Sequence, residues 1–159
     1  MKISSRIVLI AASLLAVLPS RAQFTPSPAA LGAGAIPSAQ LIQTGELKAL
    51  LLSQDARNKP VILQVGSRIF FDEAHIPGSQ YAGPGSQPAG LALLEKTVSS
   101  LPKDTSIVLY CGCCPWSRCP NVGPAFKRLH DLGYTSVKVL YIASNFGDDW
   151  VSKGYPTEK

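Results

Sequence analysis

Outside one nine-residue window the sequence has no cysteine: of 159 residues, only Cys111, Cys113, Cys114 and Cys119 carry a thiol. That absence excludes a scattered disulfide framework of the kind that staples small secreted domains. Apolar runs of membrane-spanning length are also missing, because Ile7–Leu18 is too short and wrongly flanked for a spanning helix. No Lys/Arg run and no internal repeat occurs, which gives no support for nucleic acid or an acidic membrane as partner. The formal charge of +5 is mostly the N-terminus: without Lys2, Arg6 and Arg21 the balance is 12 basic to 10 acidic residues.

What is present at the N-terminus reads as an export signal. Lys2 and Arg6 form a charged start, Ile7–Leu18 an apolar centre, and Ser20-Arg21-Ala22 a small-x-small cleavage site, so residues 1–22 are expected to be a signal peptide cut after Ala22. No cysteine lies near the cut, which disfavours a lipid anchor, and the mature chain is expected in the periplasm or secreted, without stable membrane association. Residues 23–38, rich in Pro, Ala and Gly without charge, read as a flexible leader, and the folded unit as residues 39–159.

Within that unit, strand-like and helix-like patterns alternate, which argues an α/β domain with a largely parallel sheet. Thr44 followed by Glu46–Leu52 reads as a capped helix, 61–65 as a buried strand, 91–99 as a helix and 107–110 as a strand. Val122, Ala125, Phe126, Leu129 and Leu132 recur at helical spacing with Gly133 at the stop. A strand over 137–142 and a short helix over 148–153 complete the reading.

The cysteines therefore fall at the carboxyl end of a strand, just before a helix, where parallel sheets bind ligands and free N–H groups favour anions. A thiolate or persulfide is such an anion. Arg118, shortly before the helix, is a candidate to lower a thiol pKa and hold an anionic substrate, and Trp116 to wall the pocket. His75 reads as a turn-fixing residue, His130 as surface and Trp150 as core. Cys111-Gly-Cys-Cys114 also contains a Cys-x-x-Cys, as in thiol redox proteins, and four soft ligands in nine residues suit a metal module. Against a metal, Cys113 and Cys114 are adjacent and no ligating His is near, so no metal or cofactor is assigned. Structural pairing of Cys111 or Cys114 with Cys119 remains open, since a bridge between neighbours is strained.

Val61-Ile-Leu-Gln-Val65, Phe71–Ser79 with its His-Ile-Pro-Gly turn, Ile107–Cys111, Leu129–Tyr134, Val137–Leu140, Trp150 and Gly154-Tyr-Pro156 together resemble the rhodanese-like domain family over residues 39–157. The resemblance implies an open parallel sheet of about five strands with helices on both faces, and sulfane-sulfur transfer through a persulfide on Cys111, the family position at the strand end. It implies a small anionic sulfur donor, which Arg118 is placed to bind, and a thiol acceptor; Cys113, Cys114 or Cys119 are candidate resolving or alternative thiols, an option that ordinary single-cysteine members lack. The loop departs from the family: six residues separate Cys111 from Arg118 where four are usual, and Cys113 keeps the four-residue gap. Gln64 and Gly66 stand where the family has Asp and Arg.

Overall fold

A computed structural model describes residues 33–55 and 59–159. The segment read as a signal peptide lies outside them. Along the chain run β1 (Leu41–Ile42), α1 (Thr44–Leu52), β2 (Val61–Gln64), α2 (Arg68–Glu73), β3 (Gln80–Tyr81), α3 (Pro88–Val98), β4 (Ile107–Tyr110), α4 (Val122–Asp131), β5 (Val137–Leu140) and α5 (Phe146–Asp149). The strands form one five-stranded sheet in the order β1-β5-β4-β2-β3, with every pairing parallel. The expected α/β architecture with helices on both faces is what the chain adopts.

Side-chain alternation in β4 shows why. Ile107 and Leu109 point into a core closed by Leu94 and Val98 of α3 and Ala125 and Leu129 of α4. Val108 and Tyr110 point to the opposite face, where Leu47 of α1 and Trp150 cover them. All four β4 residues are buried, as a central strand of a two-faced parallel sheet requires. Each fully buried Leu or Ile, such as Leu63, Leu109 and Leu129, contributes roughly 1.5–3 kcal/mol over exposure. On α4 the buried residues Val122, Ala125 and Leu129 share one face, while Lys127 bonds Asp131 at 2.6 Å on the solvent side.

Three local expectations shift. The cap of α1 is Gln43, not Thr44: the Gln43 N–H donates to Glu46 Oε2 at 2.8 Å, because a Glu at the third helical position reaches back three residues. The last helix starts earlier, at Phe146, since Asn145 caps it by accepting from the Asp148 N–H at 2.9 Å; a 3-10 turn, Val151–Lys153, follows. Finally, Ala33 and Ile36, in the stretch read as a leader, are buried in the α3–α4 core, so ordered packing starts before residue 39.

Candidate functional site

Because β4 sits in the middle of the sheet, its carboxyl end opens at the centre of one edge of the molecule, with β2 and β5 on either side. Cys111 follows directly, 4% exposed. Gly112 then turns the chain with φ 74°, and a Cβ there would lie 2.8 Å from Phe146 Cβ, so this turn requires glycine. Three bonds fix the loop to its surroundings. Gln64 Nε2, at the end of β2, donates to the Cys111 carbonyl at 3.2 Å; the Phe146 N–H donates to the Gly112 carbonyl at 2.9 Å; and the Trp116 N–H donates to the Ala143 carbonyl at 3.1 Å. A 3-10 turn, Trp116–Arg118, carries the chain to Cys119 and then to α4.

The four thiols gather into one cluster, and all are free. Cys111 Sγ lies 2.9 Å from Cys113 Sγ, and Cys113 Sγ lies 3.6 Å from Cys114 Sγ. The sulfurs of Cys111, Cys114 and Cys119 all fall within 4.8 Å of one another. Asn121 Nδ2 donates to Cys111 Sγ at 3.3 Å and reaches Cys113 Sγ at 3.8 Å. Its Oδ1 accepts from the Ser86 N–H at 3.1 Å and the Ser86 hydroxyl at 2.8 Å, so the amide orientation is fixed.

Shared protons split the thiols into two kinds. Cys113 is lowered to about 6, chiefly by its hydrogen bond with Cys111; burial opposes this, and Cys114 and the N–H groups of Cys113 and Ser67 support it. Cys119 is likewise lowered to about 6, first by Cys111 and then by the Val122 and Asn121 N–H groups at the start of α4. Cys111 is raised, first by its sharing of a proton with Cys113, then by Cys119 and by burial. Burial, then the negative charge of Cys119, pushes Cys114 up to about 12.

The thiols also open onto two different spaces. Cys113 and Gly112 line a broad cavity of about 510 Å³ with Phe70, Glu73, Phe146 and Val151. Cys111, Cys114 and Cys119 instead surround a void of about 10 Å³, closed by Trp116, Val122, Leu140 and Ile142.

The expected site residues are therefore only partly assembled. The four cysteines and Trp116 come together, Trp116 also packing on Tyr141 with ring centroids 5.2 Å apart. Arg118 is exposed, lines neither space, and makes no side-chain hydrogen bond or ion pair among the described residues. His75 is a turn residue: its ring stacks on Phe71 at 4.0 Å, its Nδ1 lies 2.9 Å from the Phe71 carbonyl, and its backbone bridges Glu158. His130 is exposed and Trp150 fully buried.

Sequence reasoning missed Asn121. It occupies the residue before α4, where an Asn ordinarily caps the helix, yet it makes no side-chain cap bond and turns to the sulfurs instead. An Asn between a cysteine loop and a helix was the available signal.

A family model described as rhodanese-like domain matches residues 43–141. No curated protein matches the chain. Among solved structures, the chain is similar to a crystal structure of the Alr3790 protein from Anabaena sp., with 24% identity, 74% of this chain and 81% of that one covered, and a TM-score of 0.56. The solution structure of the rhodanese-like domain of that protein gives 22% identity, 75% and 78% coverage, and 0.54. Wild-type EanB gives 25% identity and 0.50, over 76% of this chain and 27% of that one; EanB has also been solved with hercynine.

Proposed function

The chain belongs to the rhodanese-like domain family, a sulfurtransferase-type family, and from that premise we propose that it moves sulfane sulfur through a persulfide in the cysteine loop, with Cys113 as the thiol that takes the sulfur. The observation that carries this is the placement of Cys113. It is the one cysteine lining the large cavity, and its pKa of about 6 makes it a thiolate at neutral pH. Cys111, at the family position, is buried, holds its proton, and faces the small void.

In the proposed reaction the Cys113 thiolate attacks the outer sulfur of a donor R–S–SH. A Cys113 S–S bond forms, the donor's S–S bond breaks, and R–S⁻ leaves. An acceptor thiolate then attacks the outer sulfur and regenerates the Cys113 thiolate. Alternatively, Cys111, 2.9 Å away, attacks Cys113 Sγ. The outer sulfur, reduced by two electrons, leaves as hydrogen sulfide with the proton that Cys111 gives up, and the two cysteines are oxidised to a disulfide.

The cavity lining bears on the donor. Besides Cys113 it offers Glu73, Asn145 and apolar side chains but no Lys or Arg, which suits an organic persulfide or polysulfide better than thiosulfate. Export through the N-terminal signal is part of the same proposal, and would place these thiols where an internal disulfide persists.

The test is sulfur transfer from an organic persulfide to a thiol, with the persulfide located by peptide mass spectrometry. Cys113→Ser should lose about 100-fold or more in kcat/KM, because a hydroxyl replaces the thiolate nucleophile. Cys111→Ser should still accept sulfur but release no sulfide and form no disulfide with Cys113. An inactive Cys111→Ser beside a fully active Cys113→Ser would return the nucleophile to the strand end. A wild-type chain that gains no sulfur would remove the transfer reading altogether.

A further inference from the structure

Besides resolving a persulfide on Cys113, Cys111 belongs to a second feature, shared with Cys114 and Cys119, which sulfur transfer does not use. We propose that Cys111, Cys114 and Cys119 form a three-coordinate thiolate site for a single soft monovalent cation, Cu(I).

Three sulfurs bound in a plane at about 2.3 Å from one ion lie about 4.0 Å apart. The sulfurs of Cys111, Cys114 and Cys119 already lie within 4.8 Å of one another, around a void of about 10 Å³. That is room for one ion or one water and nothing larger. Small movements of side chains, not of the backbone, bring the sulfurs to bonding distance.

Apart from the three sulfurs, the side chains around the void are Trp116, Val122, Leu140 and Ile142, none of which offers an oxygen or an imidazole. Hard cations find no ligand there. Zinc in a closed site takes four ligands; Cys113 Sγ is 2.9 Å from Cys111 and 3.6 Å from Cys114 but outside the group of sulfurs within 4.8 Å of one another, and it lines the other cavity. A void of this size has no place for a water to complete a tetrahedron. Three thiolates in an apolar enclosure suit Cu(I), the softest of the common candidates.

Ligand sulfurs are oriented by hydrogen bonds that stabilise their charge. Asn121 Nδ2 donates to Cys111 Sγ at 3.3 Å and is itself held by Ser86. On binding, three S–Cu bonds form and the S–H protons leave to solvent; no electron is transferred.

The test uses the reduced full-length chain without oxygen or any sulfur donor, so it does not depend on the transfer reading. Titration with the Cu(I)–bicinchoninate complex should withdraw one equivalent of Cu(I), and X-ray absorption should show three sulfurs at about 2.3 Å. Cys114→Ser and Cys119→Ser should each weaken binding by about 100-fold or more, and Asn121→Ala by about 10-fold, whereas Cys113→Ser should stay within about threefold. Circular dichroism establishes that each variant is folded; should Cys119→Ser fail, the less buried Cys114→Ser decides. No withdrawal of copper overturns the site. So does a Cys113→Ser loss as large as that of Cys114→Ser, or a preference for zinc with four sulfurs.

Discussion

Cys113 and Cys119 ionise near pH 6, while Cys114 holds its proton to about 12. An unfolded thiol titrates near about 8.5. Thiols lowered in the fold contribute stability that is present above about 8.5 and lost as the pH falls through 6. The raised Cys114 contributes stability that is present below about 8.5 and lost as the pH rises towards 12. The two effects meet, so the reduced protein should melt highest near about pH 8.5, with Tm falling on both sides. A serine at each of Cys113, Cys114 and Cys119 should flatten that dome, and scanning calorimetry in reductant reads it. At Asn121 the issue is satisfaction of polar groups. Asn121→Ala leaves the Ser86 N–H and hydroxyl without their shared acceptor, which should cost about 1–3 kcal/mol in urea unfolding.

The cysteine loop works as an element because its first turn is left-handed. Gly112→Ala should cost roughly 1–2 kcal/mol for the backbone alone, and more because its Cβ would meet Phe146. Gly133 is a built-in control: it has φ 86° with nothing within 4 Å of a Cβ. Gly133→Ala should therefore cost only the backbone strain and leave sulfur transfer intact, whereas Gly112→Ala should lower both. The same scale explains what could be read from the sequence. The helix at Val122 and the strand Ile107–Tyr110 were legible, since each carries its own apolar pattern. The two-residue strands Leu41–Ile42 and Gln80–Tyr81 were not, nor was the six-residue helix at Arg68, because so few residues express no period. For the site, the clustering of cysteines was legible from their count. Their division between two spaces was not. It depends on Phe146, Leu140 and Ser86, which reach the loop only through the tertiary fold.

At the scale of the whole molecule, β5 is the hinge of the sheet order: it pairs with β1 on one side and β4 on the other. A chain ending at Ser136, before β5, should therefore show no cooperative unfolding transition, which chemical denaturation with circular dichroism would reveal. The strand order also has a consequence in time. Leu41 must wait for Val139, nearly a hundred positions downstream, before the first strand has a neighbour. Contacts this distant along the chain close late and slowly, so folding cannot keep pace with synthesis. Until β5 has been made, the first strand has no partner and the sheet stays incomplete on that side.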